Sequence, residues 1–141
     1  MTLTLPQQSK PPSLQPTGWL RYLSFSVDHK VIGLQYLVCG FAFYLIGGAL
    51  AGAIRTELTS PVSDFMPREV YNQVLTLHGT VMIFLWIVPV VNGAFGNYLI
   101  PFYVGARDMA FPRLNAVAFW LIPPAGLLLI TSYFITGAAQ S

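Results

Sequence analysis

Charge is what this sequence has least of. Asp, Glu, Lys and Arg make up 9 % of its 141 residues, against about a quarter in soluble domains, while 55 % are apolar. That balance excludes a water-soluble globular domain and points to an integral membrane chain. Seven basic residues against five acidic leave a net charge of +2, and no row of Lys or Arg is long enough to track a phosphate backbone, which excludes a nucleic-acid binder. Cysteine is nearly absent. The single Cys39 permits no intrachain disulfide and offers no zinc or redox-pair spacing, so it reads as packing. The first 18 residues lack the apolar core of a secretory signal peptide; polar and Pro-rich, with Lys10 as their one charge, they read as a flexible tail reaching to about residue 24.

What the chain does have is three long runs without charge. Between Lys30 and Arg55 lie 24 uncharged residues, enough for one membrane-spanning helix, which needs about 20. The run from Val70 to Arg107, VYNQVLTLHGTVMIFLWIVPVVNGAFGNYLIPFYVGAR, exceeds one span. Its surplus must tilt, kink or leave the bilayer, and Pro89, Gly93, Gly96 and Pro101 mark where. A third run, Asn115 to Gly137, contains Trp120, the Pro123-Pro124 pair and an LLLI stretch; two missing backbone donors should kink it. The fold class is therefore all-α transmembrane, with three spans at about 31–54, 71–101 and 114–137. In the first, Gly48 and Gly52 form a small-xxx-small pair, either a point of close helix approach or ordinary membrane-protein composition.

The water-facing segments carry the polar residues. WLRYLSFSVDHK, from Trp19 to Lys30, has the mix of aromatics and charges of an interfacial segment, and within it His29 reads as a water-facing or capping residue because charges flank it. Arg55, Glu57, Pro61, Asp64, Pro67 and Arg68 bracket the first loop, and Arg107, Asp108 and Arg113 the second. Lys10, Arg21, Lys30, Arg107 and Arg113 share one side of the membrane and Arg55 and Arg68 the other. Five against two puts the N-terminus in the cytoplasm or its equivalent.

Chemistry concentrates at a few positions. If the central run is helical from Tyr71, a four-residue step places His78, Met82, Trp86, Pro89 or Val90, Gly93 and Asn97 on one stripe. An ionisable side chain at membrane depth costs a few kcal/mol without a partner. The imidazole of His78 is either a haem or metal ligand or a group hydrogen-bonded to a neighbouring helix. Arg55 either snorkels from a helix end or pairs with a polar group of a cofactor held by His78. Asp108 is one charge among three in its loop, and Asn97 and Asn115 read as interhelical hydrogen-bonders. Three helices interrupted by proline satisfy one another poorly, so further helices are expected, on other chains or beyond these residues.

The order DHKVIG, IRTEL, VYNQVLTLHGTVMIFLW and GAFGNYLIPFYVGARDMAFPRLNAVAFWLIPP resembles the N-terminal quarter of subunit I of the haem-copper terminal oxidases, of the cytochrome c oxidase type, over about residues 25 to 141. The resemblance implies the first three helices of a twelve-helix bundle in an oxygen-reducing, proton-pumping enzyme. It implies that His78 is one axial ligand of the low-spin haem iron, that Arg55 hydrogen-bonds a peripheral substituent of that haem, and that Tyr71 packs nearby. Asp108 looks like the entry acid of a proton-uptake path, with Asn97 and Asn115 as amides ordering water just inside it. The second low-spin-haem histidine and the ligands of the high-spin haem and copper would lie on later helices, outside these residues. Quinol oxidases look similar here but add an acid four residues after the arginine and a histidine eight before the haem ligand. This chain has Thr59 and Val70 there, which favours the cytochrome c type, and Gln73 fits either. Implied partners are oxidase subunits II and III, cytochrome c and membrane lipid; the implied location is a bacterial cell membrane or thylakoid. The competing expectation is a truncated, non-catalytic three-helix module.

Overall fold

A computed structural model describes residues 18–59 and 65–135. The loop positions Pro61 and Asp64, Lys10 of the tail and the last residues of the expected third span lie outside them. Gly18–Leu23 forms a short 3₁₀ helix, and three helices long and apolar enough to cross a membrane follow: His29–Glu57, Arg68–Val104 and Pro112–Ser132. These first, second and third spans alternate in direction, and no strand occurs among the described residues. The tail expected to reach residue 24 gives way to structure from Gly18 on. Buried Gln35 of the first span donates from Nε2 to the carbonyls of Tyr22 and Ser24, both at 2.9 Å, and so straps this segment down.

The first span starts where it does because of a small capping network. Asp28 is the N-cap and accepts from the Lys30 amide at 2.9 Å, while the Asp28 amide donates to the Ser26 hydroxyl. Orphan donors of the first turn are satisfied in this way. The second span stops at Gly105, whose φ of 70° is left-handed. The Ala106 amide returns to the Pro101 carbonyl and the Gly105 amide to that of Phe102, the paired closure of a Schellman turn. Gly105→Ala therefore places a β-carbon in a disfavoured region, at a cost of about 1 kcal/mol. A fall of a few degrees in the thermal midpoint of the detergent-solubilised protein is expected, and an unchanged midpoint would contradict the assignment.

Part of the surplus length of the second span is taken up inside the helix. Two stretches, Val81–Ile87 and Pro89–Phe95, are wound as π-helix, which takes more residues per turn than the 3.6 of an α-helix. Pro89 supplies one cause, since a proline ring clashes with the carbonyl one α-turn back and widening the turn relieves it. The effect is a repeat of four residues along the face that meets the first span. A methyl on Gly47 would strike Met82, one on Gly40 would strike Val90 and Trp86, and one on Gly33 would strike Tyr98 and approach the Ala94 carbonyl. Three glycines seven residues apart thus all face the second span, and Gly40 receives side chains from two of its successive turns. Small residues let helix backbones approach where lipid provides no hydrophobic drive. Of the two readings of Gly48 and Gly52, the structure favours ordinary composition, since a β-carbon at either meets nothing within 4 Å. The contact row lies on the neighbouring face of the same helix.

The third span packs parallel to the first in the same seven-residue rhythm. Tyr36 meets Phe119 edge-to-face at 5.2 Å, and Phe43 fills the gap left by Gly126. Tyr36 also lies against Gly93 of the second span, so its ring touches both neighbours and joins Ile32, Ala94, Ala116 and Phe119 in one buried cluster. A second cluster unites Phe43 with Leu77, Val81 and Leu85. The third span runs through Pro123 and Pro124 as one helix. Phe41, Leu45, Phe84, Ile87, Leu121 and Leu128 point outward, as expected of faces meeting lipid or further helices.

Candidate functional site

Two polar sites lie at different heights in the bundle. The deeper one centres on His78, ten residues into the second span and so roughly 15 Å along it at the α-helical rise. Its Nδ1 lies 2.9 Å from the carbonyl oxygen of Gly47. A carbonyl only accepts, so Nδ1 carries the hydrogen and donates. Nε2 is then the nitrogen with the lone pair. The glycine is what admits the contact: with no side chain at Gly47, the imidazole reaches the first span's backbone and the Met82 thioether fills the space beside it. A ring held by a backbone carbonyl on one nitrogen and basic on the other is the arrangement of a metal-ligating histidine, because the second contact fixes tautomer and orientation.

Arg55 is exposed in the last turn of the first span and makes no ion pair among the described residues. Tyr71, half-buried, lies in the first turn of the second span, seven residues or about two turns before His78. All three belong to the same half of the bundle, and the structure shows no hydrogen bond joining Arg55 or Tyr71 to His78. Glu57, beside them, accepts from the Met66 amide at 3.0 Å and closes the end of the intervening loop. No cluster of three or more His, Cys, Asp or Glu side chains occurs among the described residues.

The second site is at the opposite end, where the first span begins, the second ends and the third begins. Asn97, 2 % exposed, and Asn115 exchange reciprocal side-chain hydrogen bonds between the second and third spans, and Asn97 also donates to the Gly93 carbonyl one turn back. Each amide is used as both donor and acceptor, which lets two polar side chains occupy a buried interhelical position. Asp108 follows the Gly105 turn in the loop between those spans. Its Oδ1 accepts from the Met109 amide at 2.8 Å and lies 3.0 Å from Nδ1 of His29. A cavity of about 340 Å³ opens beside it, lined by Val27, Asp28, His29, Lys30, Arg107 and Asp108.

The water-facing reading of His29 is corrected here. The residue is 8 % exposed and turned to the Asp108 carboxylate of the loop, and the capping role belongs to Asp28. Flanking charges mislead because they lie on either side of a helix start, where the chain turns and successive side chains leave in different directions. Gln35 and the Gly33, Gly40 and Gly47 row are the other positions that the sequence did not single out. A seven-residue glycine spacing was the available signal for the row. No local signal pairs His29 with a residue 79 positions away.

Comparison with known proteins agrees with the fold. The family described as Cytochrome C and Quinol oxidase polypeptide I matches residues 31–141. Cytochrome c oxidase subunit 1 of Synechocystis is 64 % identical over 123 residues, covering 87 % of this chain and 22 % of the relative. The protein of that name from Thermostichus vulcanus is 59 % identical over 136 residues, covering 96 % and 24 %. That from Bacillus strain PS3 is 50 % identical over 116 residues, covering 82 % and 19 %. The chain spans about a quarter or less of the length of these relatives. With most of its residues matched, spans and loops alike, the chain belongs to the cytochrome c and quinol oxidase polypeptide I family.

Proposed function

We propose that these spans are the first three of the oxygen-reducing subunit of a cytochrome c oxidase, and that they contribute half of a low-spin haem site and the entrance of a proton path. The observation that carries this reading is the His78 imidazole, fixed through Nδ1 to the Gly47 carbonyl with a basic Nε2 left over. The donor set fits a haem iron, which takes a neutral imidazole nitrogen. His78 would hold the iron, Arg55 a peripheral substituent, and Tyr71 would pack beside it. The group so bound supplies one-electron transfer; the chain's residues orient it and exclude water. A second haem and copper would draw their ligands from other parts of a full subunit.

At the other end, Asp108 takes up protons at the polar cavity, and the Asn97–Asn115 pair lies further in, where amides that both donate and accept suit a chain of water. This end carries the larger share of basic residues, Lys30, Arg107 and Arg113 among them, so it faces the cytoplasm of a bacterial cell membrane or the equivalent side of a thylakoid. Subunits II and III cover the outward apolar faces together with lipid. Cytochrome c, rather than quinol, is the donor, on the strength of Thr59 and Val70. Membranes whose sole terminal oxidase carries this segment should consume oxygen with reduced cytochrome c. Oxygen consumption driven only by quinol would overturn the donor assignment, and none with either donor would overturn the function.

A further inference from the structure

We propose that His29 is a positioning residue for Asp108, holding the carboxylate in the orientation from which it passes protons inward. The inference rests on the reading of Asp108 as the proton-entry acid. Asp108 sits on a loop with 45 % of its side chain exposed, a setting in which a carboxylate rotates freely unless it is tied. Two donors tie it, both on the same oxygen: the Met109 amide at 2.8 Å and Nδ1 of His29 at 3.0 Å. An ionised carboxylate only accepts, so Nδ1–H donates, and Oδ2 is left without a protein partner among the described residues. One oxygen is therefore anchored and the other remains for water.

The anchor is itself rigid. His29 is the first residue of the first span, 8 % exposed, with its backbone set by the Asp28 cap on the Lys30 amide and the Ser26 hydroxyl on the Asp28 amide. The Asp108 side of the contact is set by the Gly105 turn. Lys30, Arg107 and Asp28 line the same cavity, yet none of them makes a hydrogen bond to Asp108. The contact thus joins the first span to the loop between the second and third at the place where a proton would enter. Holding a reacting group in its productive orientation is the kind of contribution that a small displacement destroys.

The test uses the complete oxidase and measures the rate of proton uptake in a single turnover, with the haem spectrum as a check on assembly. Asp108→Asn probes the underlying reading and is expected to slow uptake strongly with a normal spectrum. His29→Leu, which removes the donor, should slow uptake about tenfold. His29→Asn, whose amide N–H stands near the position of Nδ1, should recover most of that loss, whereas His29→Gln, whose amide reaches towards Nε2, should not. The double variant His29→Leu with Asp108→Asn should be no slower than Asp108→Asn alone. If Asp108→Asn is slow and His29→Leu matches the wild type, positioning is refuted while the entrance stands. Equal rates for His29→Asn and His29→Gln refute it as well, and this pair decides the matter should the leucine variant fail to assemble. A wild-type rate for Asp108→Asn removes the entrance and the inference together.

Discussion

His78→Ala in the complete subunit is expected to abolish the low-spin haem absorbance while leaving the polypeptide in the membrane. On the proposed reading, the substitution removes one of two axial bonds. Removing even an outer partner of a metal ligand typically costs about 10- to 100-fold in affinity, so deletion of the ligand itself should exceed that range. The scaffold should survive, because the Gly47 carbonyl that accepts from Nδ1 is helical backbone and loses only a second hydrogen bond. The void left lies at the Gly47 carbonyl, where Met82 already packs against the first span. Added imidazole should restore part of the band by entering that space. A reduced-minus-oxidised spectrum indistinguishable from the wild type would show that His78 is only an interhelical hydrogen-bond donor.

The largest effect on assembly is expected at Gly93. Tyr36 lies directly against this glycine, so that any β-carbon collides with its ring, and the same ring is pinned from the other side by Phe119 at 5.2 Å. Gly93→Leu must displace Tyr36 and with it the contact among all three spans. Overpacking alone costs about 1–3 kcal/mol, and the lost edge-to-face pair adds roughly 0.5–1.5 kcal/mol. Gly48→Leu is the matched control, since that position opens on nothing within 4 Å and should shift stability by no more than about 0.5 kcal/mol. The thermal midpoints of the two variants in detergent compare them directly; equal losses, or a tolerated Gly93→Leu, would contradict the packing described.

Glycine placement shows how far sequence reasoning reaches. A small-xxx-small spacing identifies Gly48 and Gly52 as readily as any pair, yet the helix turns Gly33, Gly40 and Gly47 to its neighbour. Spacing says which residues share a face and not which face meets the partner. The stripe from His78 through Met82 and Trp86 to Val90 fares better. It does face the first span, because a four-residue step is the repeat that the two π-wound stretches impose. Beyond Val90 the stripe divides, with Gly93 receiving Tyr36 and Asn97 turning to Asn115 of the third span.

Charge and apolar length by themselves determined that the chain is membrane-bound and that it has three spans, since burying a charge in hydrocarbon is costly. Residue order was enough to indicate the family. Only the tertiary structure decided the tautomer of His78, the mutual satisfaction of Asn97 and Asn115, and the burial of His29 against Asp108. Each of these depends on which atoms from distant parts of the chain come within about 3 Å, a matter of helix rotation and register that close packing settles and local composition does not encode.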